Sequence, residues 1–247
     1  MTDGEVRILA GAARTALVRN TRHFLHFMNP AERREAMRIA RAEGCRFSAY
    51  GGFEEAERQI GCFFAEGWEP LPEEYPAVCL ASGCDSRFSH ITHRDILGAY
   101  MALGLTRSSL GDIMIKNSRV FLFVESGVSA FVAEYLRMAG KTALCFSPAD
   151  AACVALSGPE GSYFRAVIGS MRFDAVLAAA FHLSRSSAAD LIRGGNGKLD
   201  YLVCEKTDAT VSPGAMLSLR GRGRVRLASL DGTTRKDRIN VTFFRYD

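Results

Sequence analysis

MRFDAVLAAAFHLSRSSAADLIRGG, Met171 to Gly195, decides how the last third of the chain folds. The apolar residues from Phe173 to Leu183 recur at helical spacing, so MRFDAVLAAAFHL reads as one short helix. Ser184 is a good N-cap, and Gly194-Gly195 is a stop, so SRSSAADLIRGG reads as a second helix. Beyond Gly195 the pattern changes to short apolar runs broken by Gly, Pro and Asp: KLDYLV, MLSLRG, RVRLASL and INVTFF. Two short helices followed by a small twisted sheet is the reading.

That sheet carries an unusual charge pattern. In LSLRGRGRVRL, Leu217 to Leu227, arginine occupies every second position from Arg220 to Arg226. Side chains alternate faces along a strand, so one continuous strand would place all four guanidiniums on one side. Like charges that close repel, and the arrangement is favourable if a polyanion lies across that face. The bland alternative is a charged sheet edge that discourages aggregation, a job more often given to lysine. Arginine's planar fork suits phosphate oxygens, and the intervening glycines let backbone approach a phosphate chain.

The charge balance agrees. The chain has 247 residues, 48% of them hydrophobic, with a formal net charge of +4. From Met171 to Asp247 there are 13 Lys or Arg against 8 Asp or Glu, whereas the preceding residues carry 18 against 19. The excess positive charge sits in the last third, which points to an anionic partner for one domain, nucleic acid being the usual case.

The seven cysteines are odd in number and scattered, with no CxxC pair, which reads as a reduced cytoplasmic protein. No signal peptide and no apolar run long enough to span a bilayer are evident, so a soluble protein is expected.

The first ~45 residues look helical. In FMNPAERREAMRIARAEG, Asn29 is an N-cap, Pro30 fits the first helical position, Glu32 closes a capping box, and Gly44 stops the helix. CRFSAYGGFEEAERQIGCFFAEGWEP predicts two short strands either side of Gly51-Gly52. Pro70, Pro72 and Pro76 then mark a linker. In the middle, AVCLA reads as a strand, and THRDILGAYMALG as a helix capped by Thr92. GDIMIK and RVFLFVE form a hairpin at Asn117-Ser118, SGVSAFVAEYLRMAG is a second helix, and TALCF is a final strand. The order βαββαβ is the ferredoxin-like, RNA-recognition (RRM-like) arrangement, which identifies no function by itself. LSGPEGS reads as a hinge.

The order RFDAVLA, SRSSAADLIRGG, a strand with Lys198, then PGAMLSLRGRGR resembles the small RNA-binding domain named after small-subunit ribosomal protein four (S4-type). The matched features are Arg172-Phe173-Asp174 with Val176 and Leu177, Ser184-Arg185-Ser186, Ala188, Ile192, Gly195, and Pro213-Gly214. HRDILGAYMALGLTRSSLGDI, FMNP and the tail LRGRGRVRLASLDGTTRKDRINVTF extend the resemblance to the YlmH family over most of the chain. Three positions depart from the pattern: Gly197 stands where the module usually has an aliphatic, Asp200 where it usually has Asn, and Ala215 where it usually has Asp. The resemblance implies a ribosome-associated factor that engages the large subunit with a tRNA, in rescue or quality control of stalled translation.

The expected fold class is therefore α+β. It comprises an N-terminal mixed α/β segment over 1–75, an RRM-like middle domain over 76–168, and an S4-type RNA-binding domain with a basic C-terminal extension over 171–247. The expected RNA-contacting residues are Arg172, Ser184, Arg185, Ser186, Arg193, Lys198, Arg220, Arg222, Arg224, Arg226 and Lys236. Ser184 and Arg185 contribute through a helix N-terminus, which suits anions. Arg235 and Lys236 lie in a polar turn where simple solvation is an equal reading. His93 and Arg94 are possible secondary contacts. The partners expected are rRNA, tRNA and the large ribosomal subunit, with no cofactor, no membrane and no small-molecule substrate.

Other constellations are weaker. His93-Arg94-Asp95 lacks the rest of a kinase catalytic loop. Cys79, Cys84, His90 and His93 do not have the spacing of a common zinc site. Arg172-Phe173-Asp174 resembles the catalytic triplet of pseudouridine synthases, which makes an RNA-modifying enzyme the competing function. Phe121 and Phe123 occupy strand positions where RNA-recognition folds stack bases, and are otherwise core residues. No catalytic or metal-binding residue is assigned.

Overall fold

The computed structural model describes residues 2–83, 91–116, 118–150, 161–234 and 237–246. They form two compact units, Met1–Gly158 and Pro159–Asp247. Both are α+β with antiparallel sheets, and there are six helices among the described residues.

The first unit starts with helix α1, Asp3–Val18, closed by a capping box between Thr2 and Glu5. It presents Leu9, Ala13 and Ala16 to the core. Helix α2, Pro30–Glu43, begins as its sequence predicts. The Asn29 side chain accepts from the Ala31 and Glu32 amides, Glu32 accepts from the Asn29 amide, and Gly44 turns left-handed at φ 77°. Between the two helices the chain departs from the expected helix. His23–Met28 is a strand, β1. The physical break is Asn20, whose φ of 51° ends α1, and the aromatic run after it is then free to pair in a sheet.

Strands β2 (Arg46–Tyr50) and β3 (Gln59–Phe64) complete a sheet of order β1-β3-β2. One face packs under α1 and α2 through Met28, Ile39 and Phe63. The other face, with Phe27, Ile60 and Phe64, shares a core with Cys79, Ala81, Phe121 and Phe123 of a second sheet. Arg58 is tied into the same region. Its guanidinium donates to the carbonyls of Phe27 (2.8 Å), Leu110 (3.0 Å) and Arg107 (3.2 Å). Asp112 accepts from the Glu57 and Arg58 amides. The proline stretch holds one 3-10 turn, Pro72–Glu74, and Arg22 binds it through Glu74 and the carbonyls of Trp68 and Glu69.

The second sheet has the order β5-β6-β4-β9, antiparallel throughout. Its strands are β4 (Ala77–Gly83), β5 (Leu110–Lys116), β6 (Arg119–Glu125) and β9 (Ser147–Pro148). Helices α3 (His93–Ala102) and α4 (Ser126–Tyr135) contribute Ile96, Tyr100 and Val132 to the core on the face away from the first sheet. The expected strand TALCF is shorter than predicted. Only Thr142–Ala143 (β8) pairs, with Met138–Ala139 (β7), across the left-handed Gly140, while Leu144 and Phe146 turn into the core.

The second unit contains β10 (Gly161–Ile168), α5 (Phe173–Ala180), α6 (Arg185–Arg193), β11 (Gly197–Leu199), β12 (Leu202–Val203), β13 (Met216–Leu219), β14 (Gly223–Thr233) and β15 (Ile239–Tyr246). The sheet order is β10-β15-β14-β13-β11-β12. Strand β10 was not expected. It pairs along its full length with β15, from Gly161 opposite Tyr246 to Ile168 opposite Ile239. Leu217, Leu219, Val225, Leu227, Val241 and Phe243 face α5 and α6, and the core they form includes Phe173, Leu177 and Ile192. The opposite face of this sheet carries neither α5 nor α6.

Candidate nucleic-acid interface

The first cationic group lies where α5 and α6 begin. Asp174, in the first turn of α5, is buried. Its carboxylate accepts from Arg172 Nε and Nη2, each at 3.2 Å, from Arg185 Nη2 at 3.2–3.3 Å, and from the Ala175 amide at 2.8 Å. Burial would raise its pKa, but the hydrogen bonds from Arg172 and then Arg185 outweigh that and hold the carboxyl below its ordinary value. Both arginine side chains stay about half exposed, at 43% and 58%. Two partly exposed arginines are thus tied to one carboxylate at two helix starts. Asp174, the acid that resembles a catalytic aspartate in sequence, serves as their anchor.

Ser184 caps α6, its Oγ accepting from the Ser187 amide at 3.1 Å and lying 3.0 Å from Ser186 Oγ. The exposed Ser184, Arg185 and Ser186 therefore share one helix N-terminus with Arg172 beside them. Arg193, at the far end of α6, pairs with Asp190 at 3.0 Å across the exposed helix surface.

The second cationic group corrects the expected stripe. Arg220 to Arg226 do not lie on one strand. Leu219 pairs with Gly223, and the three residues between them form a tight turn, with Gly221 at φ 78° and Gly223 at φ 84°. The glycines serve the turn, since β-branched or bulky residues would be strained at these angles. Arg220 and Arg222 are exposed at the tip. Arg224 and Arg226 are on β14, on the sheet face away from α5 and α6, opposite Ser218 and Met216. Lys198 joins the same row, opposite Ser218. Arg224 lies over the Tyr246 ring at 4.7 Å and Arg226 over the Phe244 ring at 5.7 Å. The proposed residues therefore form a helix-side cluster and a sheet-side cluster, not one continuous patch.

Two of the three departures from the family pattern, Asp200 and Gly197, have local explanations. Asp200 is left-handed at φ 48°, and its Oδ1 accepts from the Met216 amide at 2.9 Å, a role Asn would also fill. Gly197 is buried, and a Cβ there would lie 3.3 Å from both Ile192 and Phe173, so glycine lets the helices sit close to β11.

His93 and Arg94 are exposed in the first turn of α3, in the first unit. Lys236, Arg235, Cys84 and His90 lie outside the described residues. Cys79 is buried against the aromatic core, and no group of three or more potential metal ligands occurs among the described residues. Phe121 and Phe123 are also buried there, 4% and 0% exposed, so base stacking on them is excluded in this fold. Among the described residues no helix is long and apolar enough to cross a membrane.

Sequence reasoning missed Tyr163 and Arg165 on β10, whose alternation in YFRAVI was the available signal, and Phe244 and Tyr246 opposite the arginines. It also missed Arg245, which donates to the Ala180 carbonyl at the end of α5 and lies over Phe164.

Residues 70–151 match the family described as "Putative RNA-binding domain in YlmH". The chain is 33% identical over 202 residues to ribosome-associated protein quality control protein P2 of Bacillus subtilis, covering 82% of this chain and 78% of that protein. The solved structure of cell division protein ylmH from Streptococcus pneumoniae aligns with a TM-score of 0.51 at 17% identity, over 63% of this chain and 97% of that one. That last likeness concerns fold alone.

Proposed function

Because this chain belongs to the YlmH family, we propose that it is a non-enzymatic RNA-binding protein of the translation machinery. It docks on rRNA of the large ribosomal subunit together with tRNA, in the cytoplasm, and acts in rescue or quality control of stalled translation. The observation that carries this reading is the pair of cationic clusters in the second unit, one of them built from arginines pre-positioned by a buried carboxylate. Fixed guanidiniums lose less conformational freedom on meeting phosphate than mobile ones do. The name of the Bacillus subtilis relative supports the ribosomal setting.

In this reading α5, α6 and β11–β13 make up the S4-type module. The order β5-β6-β4-β9 with helices on one face supports an RRM-like middle domain. The mechanism is electrostatic docking on folded RNA, with Arg172, Ser184, Arg185 and Ser186 on one side of the module and the arginine hairpin on the other. The burial of Asp174 beneath two arginines favours binding over pseudouridine-synthase-like catalysis, because a nucleophilic carboxylate must reach its substrate.

The test is sedimentation of lysate through sucrose at low and high salt, with wild type and the triple variant R220A/R222A/R224A. Salt-sensitive co-migration with the large subunit, lost in the variant, supports the proposal. Wild type remaining at the top of the gradient at every salt concentration overturns it.

A further inference from the structure

We propose that the face of the second unit's sheet away from α5 and α6 is a separate site for single-stranded RNA, holding an unpaired base against Tyr163 with Arg224, Arg226 and Lys198 on the phosphates. This deepens the RNA-binding reading and rests on it.

Cross-strand register builds the face. One row runs Lys198, Ser218, Arg224 and the next runs Met216, Arg226, Phe244, Tyr163. Arg165, two residues along β10 from Tyr163, extends the same side, close enough to Asp231 to influence it. Asp231 is occupied by the hydroxyls of Ser229 and Thr242. Cations and aromatic rings therefore alternate across the face, in the composition by which single strands are gripped: charge along the backbone and rings for the bases.

Three features separate this face from an ordinary solvated sheet. Tyr163 is 66% exposed, and its ring leans on Phe244 at 4.9 Å. A tyrosine ring has only two torsions to fix, so an exposed one stacks at little entropic cost. The Arg226 guanidinium lies over the Phe244 ring at 5.7 Å, which holds a cation on this face beside the rings. Finally, Phe244 in turn packs edge-on against Tyr246 at 4.9 Å, so the rings support one another.

The partner's chemistry follows. Bases inside a duplex are stacked on one another and cannot reach Tyr163, so a ring exposed among cations favours a strand with unpaired bases. The cluster at the starts of α5 and α6 has no exposed ring in its anion-facing set and suits folded or paired RNA by shape and charge. The two faces of one small module thus take different RNA conformations.

The test uses the full chain and two fluorescent RNAs, an unstructured oligouridine of about twelve nucleotides and a fully paired hairpin, followed by anisotropy. Tyr163→Ala is expected to weaken the oligouridine about tenfold while changing the hairpin less than twofold, and Tyr163→Phe to bind both as wild type does. Equal binding of oligouridine by Tyr163→Ala and wild type overturns the proposal, as does equal weakening of both RNAs. Wild type binding the hairpin but not oligouridine overturns it while leaving the RNA-binding reading intact. Wild type binding neither RNA overturns both.

Discussion

Arg185, the first residue of α6, reaches back to Asp174 in the first turn of α5, with Nη2 3.2 Å from Oδ2. Arg172 meets the same carboxylate from the other side at 3.2 Å. One buried acid thus sets the spacing of two helix starts and the aim of two arginines. Asp174→Asn keeps the shape but removes the charge that both guanidiniums need. It is expected to lower the unfolding free energy of the second unit by roughly 1.5–3 kcal/mol, the range for hydrogen bonds to charged groups. Urea titration followed by a probe in this unit measures it.

The same carboxylate predicts a pH dependence. Its pKa is lower in the folded protein than in the unfolded chain, where it is about 3.9. Its contribution is therefore complete above that value and is lost as pH falls through the lower folded value. Wild type should lose stability on acidification below about pH 4 more steeply than Asp174→Asn does. Parallel curves for the two proteins in an acid series of urea midpoints would remove this role from Asp174.

Arg220 and Arg222 sit at the tip of a hairpin, and substituting both tests charge with little structural effect. R220A/R222A should change stability by less than about 0.5 kcal/mol, as is usual for surface positions. If each neutralises one phosphate, the slope of log affinity against log salt should fall by roughly 1.4 to 1.8. Filter binding of large-subunit rRNA between low and moderate salt reads the slope directly, and an unchanged slope would place the turn outside the interface.

Arg58 ties two segments of the first unit together, donating to the carbonyl of Phe27 and to those of Arg107 and Leu110. Arg58→Met keeps much of the volume but removes this donor from the Phe27 and Arg107 carbonyls, while the Leu110 carbonyl keeps Arg107 Nη1. It is expected to cost about 3 kcal/mol or more in the first unit. Thermal unfolding should show it, with RNA binding by the folded variant retained.

Some of this architecture is written locally, and that part was legible. The Asn29 box, Pro30 and Gly44 bound α2 through contacts within a few residues, as Thr92 and Asp95 do for α3. What depends on distant pairing was not. Strand β10 exists because β15, more than seventy residues later, lies beside it, and nothing in YFRAVI alone names that partner. The arginine alternation was legible as charge but misleading as geometry. Gly221 and Gly223 adopt positive φ and fold the stretch into a hairpin, which divides the four arginines between a tip and a strand. The anchoring of Arg172 and Arg185 was likewise invisible, because Asp174 stands eleven residues from one of them and meets it only when α5 and α6 pack.

The central claim is that this chain's natural ligand is ribosomal RNA, held by the cationic clusters of its second unit. The most direct measurement is ultraviolet crosslinking in living cells, followed by purification of the protein and sequencing of the attached RNA. The account predicts reads concentrated in discrete segments of large-subunit rRNA and in tRNA, with the crosslinked peptides mapping to the second unit. Reads spread over messenger RNA with none enriched in rRNA, or crosslinks confined to the first unit, would contradict it.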